Sequence, residues 1–365
     1  MKWSFQVGKI AGTRVKIHLT FVLLLAWVGV SGALNQGIFT AVSSLVLLIL
    51  IFLCVLLHEF GHVIAALRYG ITTPKITLFP FGGVATVSHI PKDPRKELFI
   101  SFAGPLTNIL LAVILLSIRG SAFEWNLAAI SKAETTLVDR MIWVNVILAV
   151  FNLIPAFPLD GGRIFRALLS FAIDRMKATF FAVRVGQGFA IAGAFIAVFA
   201  HQPFLFLIAL FLFFAAGSEA SMAETEHALE GLTACDASMG EFHTVEMDDT
   251  VDLAIKLMLD TSQPDFPVVN HSGQCIAIAT RQDLIRTLRE KGAEIPVREV
   301  VQTLPAMIDL DVPALDAWRK LVDSKLPGAA VVDSHGKLAR WLTRENISEL
   351  ILSRTATLEY SHRQV

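Results

Sequence analysis

Residues 45–62 read Leu45-Val46-Leu47-Leu48-Ile49-Leu50-Ile51-Phe52-Leu53-Cys54-Val55-Leu56-Leu57-His58-Glu59-Phe60-Gly61-His62. An uninterrupted apolar run meets three ionisable side chains, and the reading of that junction decides the fold. About 20 mostly apolar residues cross the roughly 30 Å hydrocarbon core of a bilayer. The run belongs to an apolar stretch over 40–68, longer than one crossing needs, so its end near Arg68 emerges into water. On a helix, residues four apart share one face. The His58 and His62 imidazoles can therefore reach a single ion, and Glu59 can approach a water held by that ion as a general base. A charge at the bilayer centre costs about 2.5–3.5 kcal/mol on insertion scales, so such groups are rarely idle there. The blander reading makes the two histidines polar caps of a helix end.

The composition of the chain agrees with a membrane setting. Of 365 residues, 54% are hydrophobic and 17% charged, and the mean hydropathy is +0.60. Soluble domains average about 25% charged and 45–50% apolar residues. The net charge of −1 hides a split: residues 1–217 carry 17 Lys/Arg against 8 Asp/Glu, and residues 218–365 carry 14 against 24. An apolar, basic part precedes a hydrophilic, acidic one. Cys54, Cys235 and Cys275 are too few and too scattered for a disulfide framework or a cysteine metal site.

Six apolar stretches qualify as spans or nearly so, at about 17–34, 40–68, 98–118, 137–157, 178–200 and 203–218, the last two split by His201-Gln202-Pro203. Basic residues cluster before the first stretch (Lys2, Lys9, Arg14, Lys16), between the second and third (Arg68, Lys75, Lys92, Arg95, Lys96), and around the junction of the fourth and fifth (Arg163, Arg166, Arg175, Lys177, Arg184). The other side has Arg119, Lys132 and Arg140. The positive-inside rule then puts both termini and the acidic tail in the cytoplasm, as in a multi-pass protein of a bacterial inner membrane. A cleaved leader ending at Ser31-Gly32-Ala33 is disfavoured, because the basic segment starts well before the apolar run and reads as short strands, Trp3 to Val7 and Thr13 to Ile17. Ile71 to Val87 is rich in β-branched and aromatic residues around Phe79-Pro80-Phe81-Gly82-Gly83, a turn between two strands. That hairpin either re-enters the membrane, where protein or water must cover its backbone, or lies at the interface.

Catalytic zinc has three protein ligands and an open position, so two histidines leave the site one short. Asp160, in Asn152-Leu-Ile-Pro-Ala-Phe-Pro-Leu-Asp160-Gly161-Gly162, ends the fourth stretch on the side where His58 and His62 end the second, at similar depth. The alternative gives Asp160 only the turn after Pro158. His18, His89 and His201 have no partner at ligand spacing.

These motifs resemble the site-2 protease family of intramembrane zinc metalloproteases. The resemblance runs through His58-Glu59-Phe60-Gly61-His62, the Phe-Gly-Gly hairpin, Ala103-Gly104-Pro105-Leu106-Thr107-Asn108 and the string from Asn152 to Gly161, over residues 5–217. The start, Gly12 to Phe21, looks like the branch with six spans and C-terminal CBS domains. The resemblance implies one Zn2+ held by His58, His62 and Asp160, with Glu59 as catalytic base and Asn152 assisting substrate or oxyanion. It implies that the hairpin pairs with an unwound substrate strand, and it gives Asn108 a packing role. Helical substrate hides its peptide bonds in i to i+4 hydrogen bonds, so unwinding and addition to a sheet edge must come first.

In the tail, Val268-Val269-Asn270-His271-Ser272-Gly273 aligns with Val331-Val332-Asp333-Ser334-His335-Gly336, and Thr280-Arg281-Gln282-Asp283-Leu284 with Thr343-Arg344-Glu345-Asn346-Ile347, both at an offset of 63. A fixed offset means two copies of one supersecondary unit. The copies resemble tandem CBS domains, 234–291 and 296–355, after a linker or helix over 218–233. The family binds adenine nucleotides, which makes ATP or AMP the expected ligand and Thr280 and Asp283 the ribose-holding pair. Asn346 departs from that pattern and leaves one competent site. The competing role is structural, pairing two chains into a homodimer. The acidic tail excludes nucleic acid as partner, since phosphate binding needs clustered Lys/Arg.

The expected fold is a polytopic α-helical membrane protein of about six transmembrane helices and a short re-entrant β-hairpin, with a cytoplasmic α/β tandem CBS module. The domains are 1–217, 218–233, 234–291 and 296–355. The expected function is cleavage of membrane-anchored protein substrates within or beside a transmembrane segment, near the cytoplasmic face. A transporter or channel gated by CBS domains is the alternative, which predicts polar groups spread along several spans. Here they gather at one locus.

Overall fold

Lipid exposure and burial divide the longest helix, α2 (Ile38–Leu67), along its length. Its buried residues other than Ala41 begin at Phe52 and continue through Cys54, His58, Phe60, Val63, Ala65 and Ala66, whereas Phe39 stands 90% exposed near its start. The structure is a computed structural model and describes residues 3–80, 82–86, 91–126, 135–261, 263–301 and 303–363. Phe81 of the expected hairpin turn, His89 and Lys132 lie outside the described residues. The chain divides into two compact units, Met1–Ala220 and Ser221–Val365.

The first unit adds α1 (Leu19–Gln36), α3 (Pro94–Arg119), α4 (Leu137–Asn152), the short α5 (Asp160–Leu169), α6 (Arg175–Phe199) and α7 (Pro203–Ala228). Among the described residues four helices, α2, α3, α6 and α7, are long and apolar enough to cross a membrane. The other two apolar stretches fall on shorter helices, α1 with 18 residues and α4 with 16. Large apolar side chains such as Trp27, Leu34, Ile118, Phe199 and Phe204 stand exposed on these helices. A surface this apolar is stable only against lipid, and the chain is an integral membrane protein.

Asp93 caps α3 through the Arg95 amide with Pro94 at its first turn, and Thr136 and Asp174 cap α4 and α6. Each is a side-chain acceptor supplied to otherwise unpaired N–H groups. The acidic stretch read as a linker or helix is helical as far as Ala228 within α7. Ser218 to Ala228 contains neither Pro nor Gly and is rich in Ala and Glu, both strong helix formers.

Four strands form one sheet in sequence order: β1 (Ser4–Ile10), β2 (Thr13–His18), β3 (Lys75–Phe79) and β4 (Gly82–Thr86). The short strands near the start and the hairpin over 71–87, read separately from the sequence, are joined by a parallel pairing, Val15 opposite Ile76 and Ile17 opposite Leu78. Val15 and Ile76 pack on Phe60 and Val63 of α2, so the sheet sits on the helix segment that carries the histidines. Among the described residues β1 and β4 are the two edge strands.

The N-terminus of α3 is tied to α5 by a buried ion pair. Arg166 Nε donates to Glu97 Oε1 at 2.8 Å, a second guanidinium nitrogen reaches the same carboxylate, and both side chains are 3% exposed. Arg175, at the start of α6, approaches the other Glu97 oxygen at 3.5 Å and donates to the Pro91 carbonyl. This clamp fixes α5, whose first residue is Asp160.

The second unit repeats itself. β5 (Val245–Glu246), α8 (Val251–Thr261), β6 (Phe266–Val269), β7 (Cys275–Ala279) and α9 (Arg281–Lys291) make the first copy. β8 (Ala306–Asp309), α10 (Ala314–Ser324), β9 (Gly328–Val332), β10 (Leu338–Thr343) and α11 (Arg344–Arg363) make the second. Both sheets pair their first two strands parallel and the last antiparallel. Val268 opposite Ala277 is matched by Val331 opposite Arg340, the same 63-residue offset as in the sequence. Cys275, Ile278, Ala330, Val332 and Trp341 form a core shared by the two copies.

Arg166→Met is expected to destabilise the membrane unit by about 3–5 kcal/mol, the usual loss when one partner of a buried pair is left alone. Glu97→Leu combined with Arg166→Met should recover much of it. Thermal unfolding in detergent measures both, and unchanged unfolding of Arg166→Met would show that the clamp carries no stability.

Candidate metal centre

The i, i+4 spacing on α2 places the His58 and His62 rings on one side of the helix, 4.9 Å apart and nearly perpendicular at 82°. Their Nε2 atoms are 3.2 Å apart, and Asp160 Oδ2 lies 2.9 Å from His58 Nε2 and 3.1 Å from His62 Nε2. Among the described residues, these three form a group of potential metal ligands whose ligating atoms all lie within 4.8 Å of one another. The two readings of Asp160 therefore coexist: it opens helix α5 and it faces both histidines.

The far side of each ring decides what the near side can do. His58 Nδ1 donates to Asn108 Oδ1 at 2.5 Å, and His62 Nδ1 donates to the Ile100 carbonyl at 2.7 Å. Carbonyl oxygens only accept, so each ring carries its hydrogen on Nδ1 and presents a lone pair on Nε2. In their neutral forms the two imidazoles aim lone pairs toward a carboxylate oxygen, a donor set that suits a cation. Ligands on bonds of about 2.0–2.1 Å at the tetrahedral angle sit about 3.3 Å apart. The observed 2.9–3.2 Å spacings fit that group, and N and O donors suit zinc.

Helix α3 closes the site from one side and can do so only at Gly104. A Cβ there would fall 2.2 Å from His62 Nε2 and 2.6 Å from His58 Nε2, in the volume where the ligand atoms meet. The sheet closes another side at Gly83 of β4, where a Cβ would fall 2.7 Å from Glu59 Cγ and 3.1 Å from its Oε1. The edge strand therefore lies directly against the Glu59 carboxylate, one residue from His58.

Among the described residues Asn152 makes no hydrogen bond to His58, His62 or Asp160; its Nδ2 donates to the Leu148 carbonyl one turn back in α4 at 3.0 Å. Asn108, which the sequence gives only a packing role, instead holds His58. Behind it Asn108 Nδ2 donates to Asn145 Oδ1 at 2.9 Å. Among the other histidines, His18 caps α1 through the Thr20 amide, and His201 stands at the turn between α6 and α7.

In the second unit Thr280 caps α9, accepting from the Asp283 amide at 3.2 Å while its hydroxyl donates to Asp283 Oδ2 at 2.7 Å. Arg286 donates to the other carboxylate oxygen at 2.7 Å. Thr343 and Asn346 make the same two contacts in the second copy. Thr280 and Asp283 line a cleft of about 1060 Å³ that also receives Arg286, Arg289, Lys325 and Arg344. Burial pushes the Asp265 carboxyl at its wall above the usual range, and Glu345 and Asp283 push it the same way.

Known proteins carry the same architecture. The family model for Peptidase family M50 matches residues 46–137 and 122–193, and the CBS domain model matches residues 236–290. A zinc metalloprotease of Methanocaldococcus jannaschii is 33% identical over 313 residues, 83% of this chain and 89% of the relative. A Synechocystis relative is 26% identical across 98% of this chain and 97% of its own. The solved site-2 protease from Methanocaldococcus jannaschii aligns at 36% identity with a TM-score of 0.46, over 60% of this chain and 95% of that one. With ligand geometry, apolar helices and this similarity together, the chain belongs to peptidase family M50, the site-2 proteases, and is a membrane metalloprotease that carries a CBS domain.

Proposed function

We propose that this protein is an intramembrane zinc endopeptidase that cuts membrane-anchored proteins within or beside a transmembrane segment, close to the cytoplasmic face. The observation that carries the reading is the convergence of His58, His62 and Asp160 with Glu59 beside them and a sheet edge against Glu59. In this reading six helices cross the bilayer of a bacterial inner membrane, with α1 and α4 completing the four longer ones. The basic loops keep both termini and the acidic unit in the cytoplasm.

Zinc held by His58, His62 and Asp160 would supply Lewis acidity and acidify water near neutral pH. The remaining steps belong to the chain's own residues. Glu59 takes the proton of the attacking water and delivers it to the departing amine. A substrate helix is unreactive until it unwinds, because each of its carbonyls is hydrogen-bonded. Laid along β4, the freed strand regains backbone hydrogen bonds, and Gly83 brings it close to Glu59. Asn152 is a candidate contact to the substrate or the developing oxyanion; its amide has two N–H groups, of which one is given to Leu148.

We further propose that the acidic unit senses an adenine nucleotide, ATP or AMP, in the cleft at Thr280 and Asp283. Arg286, Arg289, Lys325 and Arg344 offer charge for phosphates, and Asp283 offers acceptors for ribose hydroxyls. Pairing of two chains through these copies is compatible with that role.

Glu59→Gln should bind zinc as the unaltered protein does and lose about 10²–10⁴-fold in cleavage of a membrane-anchored substrate; full cleavage by this variant would refute the assignment. Comparing membrane proteomes of cells carrying either form would reveal the substrate as an accumulated fragment. Gly104→Ala would ordinarily favour a helix by about 1 kcal/mol, yet here it should abolish zinc binding, measured as metal content of the purified chain. Saturating AMP or ATP should raise the unfolding temperature of the unaltered protein and of Asn346→Ala but not of Asp283→Ala. Indifference of the unaltered protein to millimolar nucleotide would overturn the sensing role.

A further inference from the structure

A line of side chains runs away from the metal centre through the interior of three helices. His58 on α2 donates to Asn108 on α3, and Asn108 donates to Asn145 on α4. Asn145 Nδ2 then donates to the Met141 carbonyl at 2.9 Å and to Cys54 Sγ at 3.3 Å. Both asparagines are 0% exposed, so no water competes for these groups.

A carboxamide has two faces of opposite character, an acceptor and a donor. Turned over, Asn108 would offer its NH₂ to His58 Nδ1. The ring would then carry its hydrogen on Nε2, pointing at His62 and Asp160, and could not serve as a ligand. His62 faces no such ambiguity, since its partner is the backbone carbonyl of Ile100. For His58 the ambiguity is removed at the far end of the chain. The Met141 carbonyl can only accept, so Asn145 must turn its NH₂ toward it and its Oδ1 toward Asn108. Asn108 must in turn give its NH₂ to Asn145 and keep its oxygen for His58.

We propose that Asn145 is a positioning residue of the metal centre, transmitting the polarity of a backbone carbonyl through Asn108 so that His58 presents a lone pair. This rests on the reading of His58 as a metal ligand. An amide pair that merely packed α3 against α4 would have the same distances but no dependence on which face of Asn108 is presented.

The test exploits Asn108→Asp, whose two carboxylate oxygens both accept and so leave no wrong face. Zinc affinity of the purified full chain is measured by competition with a chelator, and folding by thermal unfolding. Asn145→Leu should weaken zinc binding about 10–100-fold, the usual range for residues behind a ligand. Added to Asn108→Asp, the same change should alter affinity by no more than about twofold, the limit of additivity for uncoupled sites. An equal loss in both backgrounds, or none in either, overturns the proposal. Should Asn145→Leu fail to fold, Asn145→Asp takes its place: it keeps an acceptor facing Asn108 and should hold zinc within about twofold of the unaltered protein, and a loss as large as that of His58→Ala overturns the relay. Zinc binding that survives His58→Ala overturns the ligand reading itself and the relay with it, whereas a relay failure alone leaves His58→Ala still devoid of zinc.

Discussion

Three lone pairs aimed at one point inside a bundle of apolar helices are the constraint on which the rest of the membrane unit depends. His58 Nε2, His62 Nε2 and Asp160 Oδ2 face one another at 2.9–3.2 Å. With both rings neutral and no cation that arrangement is repulsive, and each group is held from outside the triad. Asn108 and the Ile100 carbonyl hold the rings from behind. The Glu97–Arg166 pair and the close packing of α5 hold Asp160, since a Cβ on Gly161 would fall 2.1 Å from the Ile154 carbonyl oxygen. The polar interior of this bundle is thus spent on fixing three atoms, and the lipid-facing surface is left apolar.

The same constraint explains where the glycines go. Helix α3 reaches the centre at Gly104 and the sheet reaches Glu59 at Gly83, both places where one methyl group would occupy reacting space. Close approach brings α3 within hydrogen-bonding distance of both histidines, and it puts the β4 strand beside the Glu59 carboxylate.

Much of this was legible in the sequence, for a physical reason that also marks the limit. His58, Glu59 and His62 lie within five residues, where helical periodicity alone fixes their geometry. Asp160 is 98 residues beyond His62, and it became legible because membrane topology supplies a depth coordinate that sequence distance does not. The internal repeat was visible as an offset of 63, and strand register reproduces it. The parallel pairing of β2 with β3 was not visible, because segments some sixty residues apart carry no local signature of being neighbours. Nor were Asn108 and Asn145: an asparagine beside a Gly-Pro step in a helix reads as packing, and nothing in its neighbours names a partner on another helix. The only available signal was polarity itself, two amides in spans where an unpaired amide is costly.

The acidic unit shows how one motif can satisfy two demands. Thr-x-x-Asp is a helix-capping pair, and Thr280 with Asp283 caps α9 as Thr343 with Asn346 caps α11. The second copy demonstrates that the cap needs an oxygen at the fourth position but not a charge. The carboxylate of Asp283 is therefore surplus to helix formation. Its second oxygen is engaged by Arg286, at the wall of a cleft that also gathers Arg289, Lys325 and Arg344. The cleft also carries Asp265, Glu290 and Glu345, so its cations and carboxylates nearly balance, and Asp283 is the carboxylate among them that also belongs to a Thr-x-x-Asp helix cap.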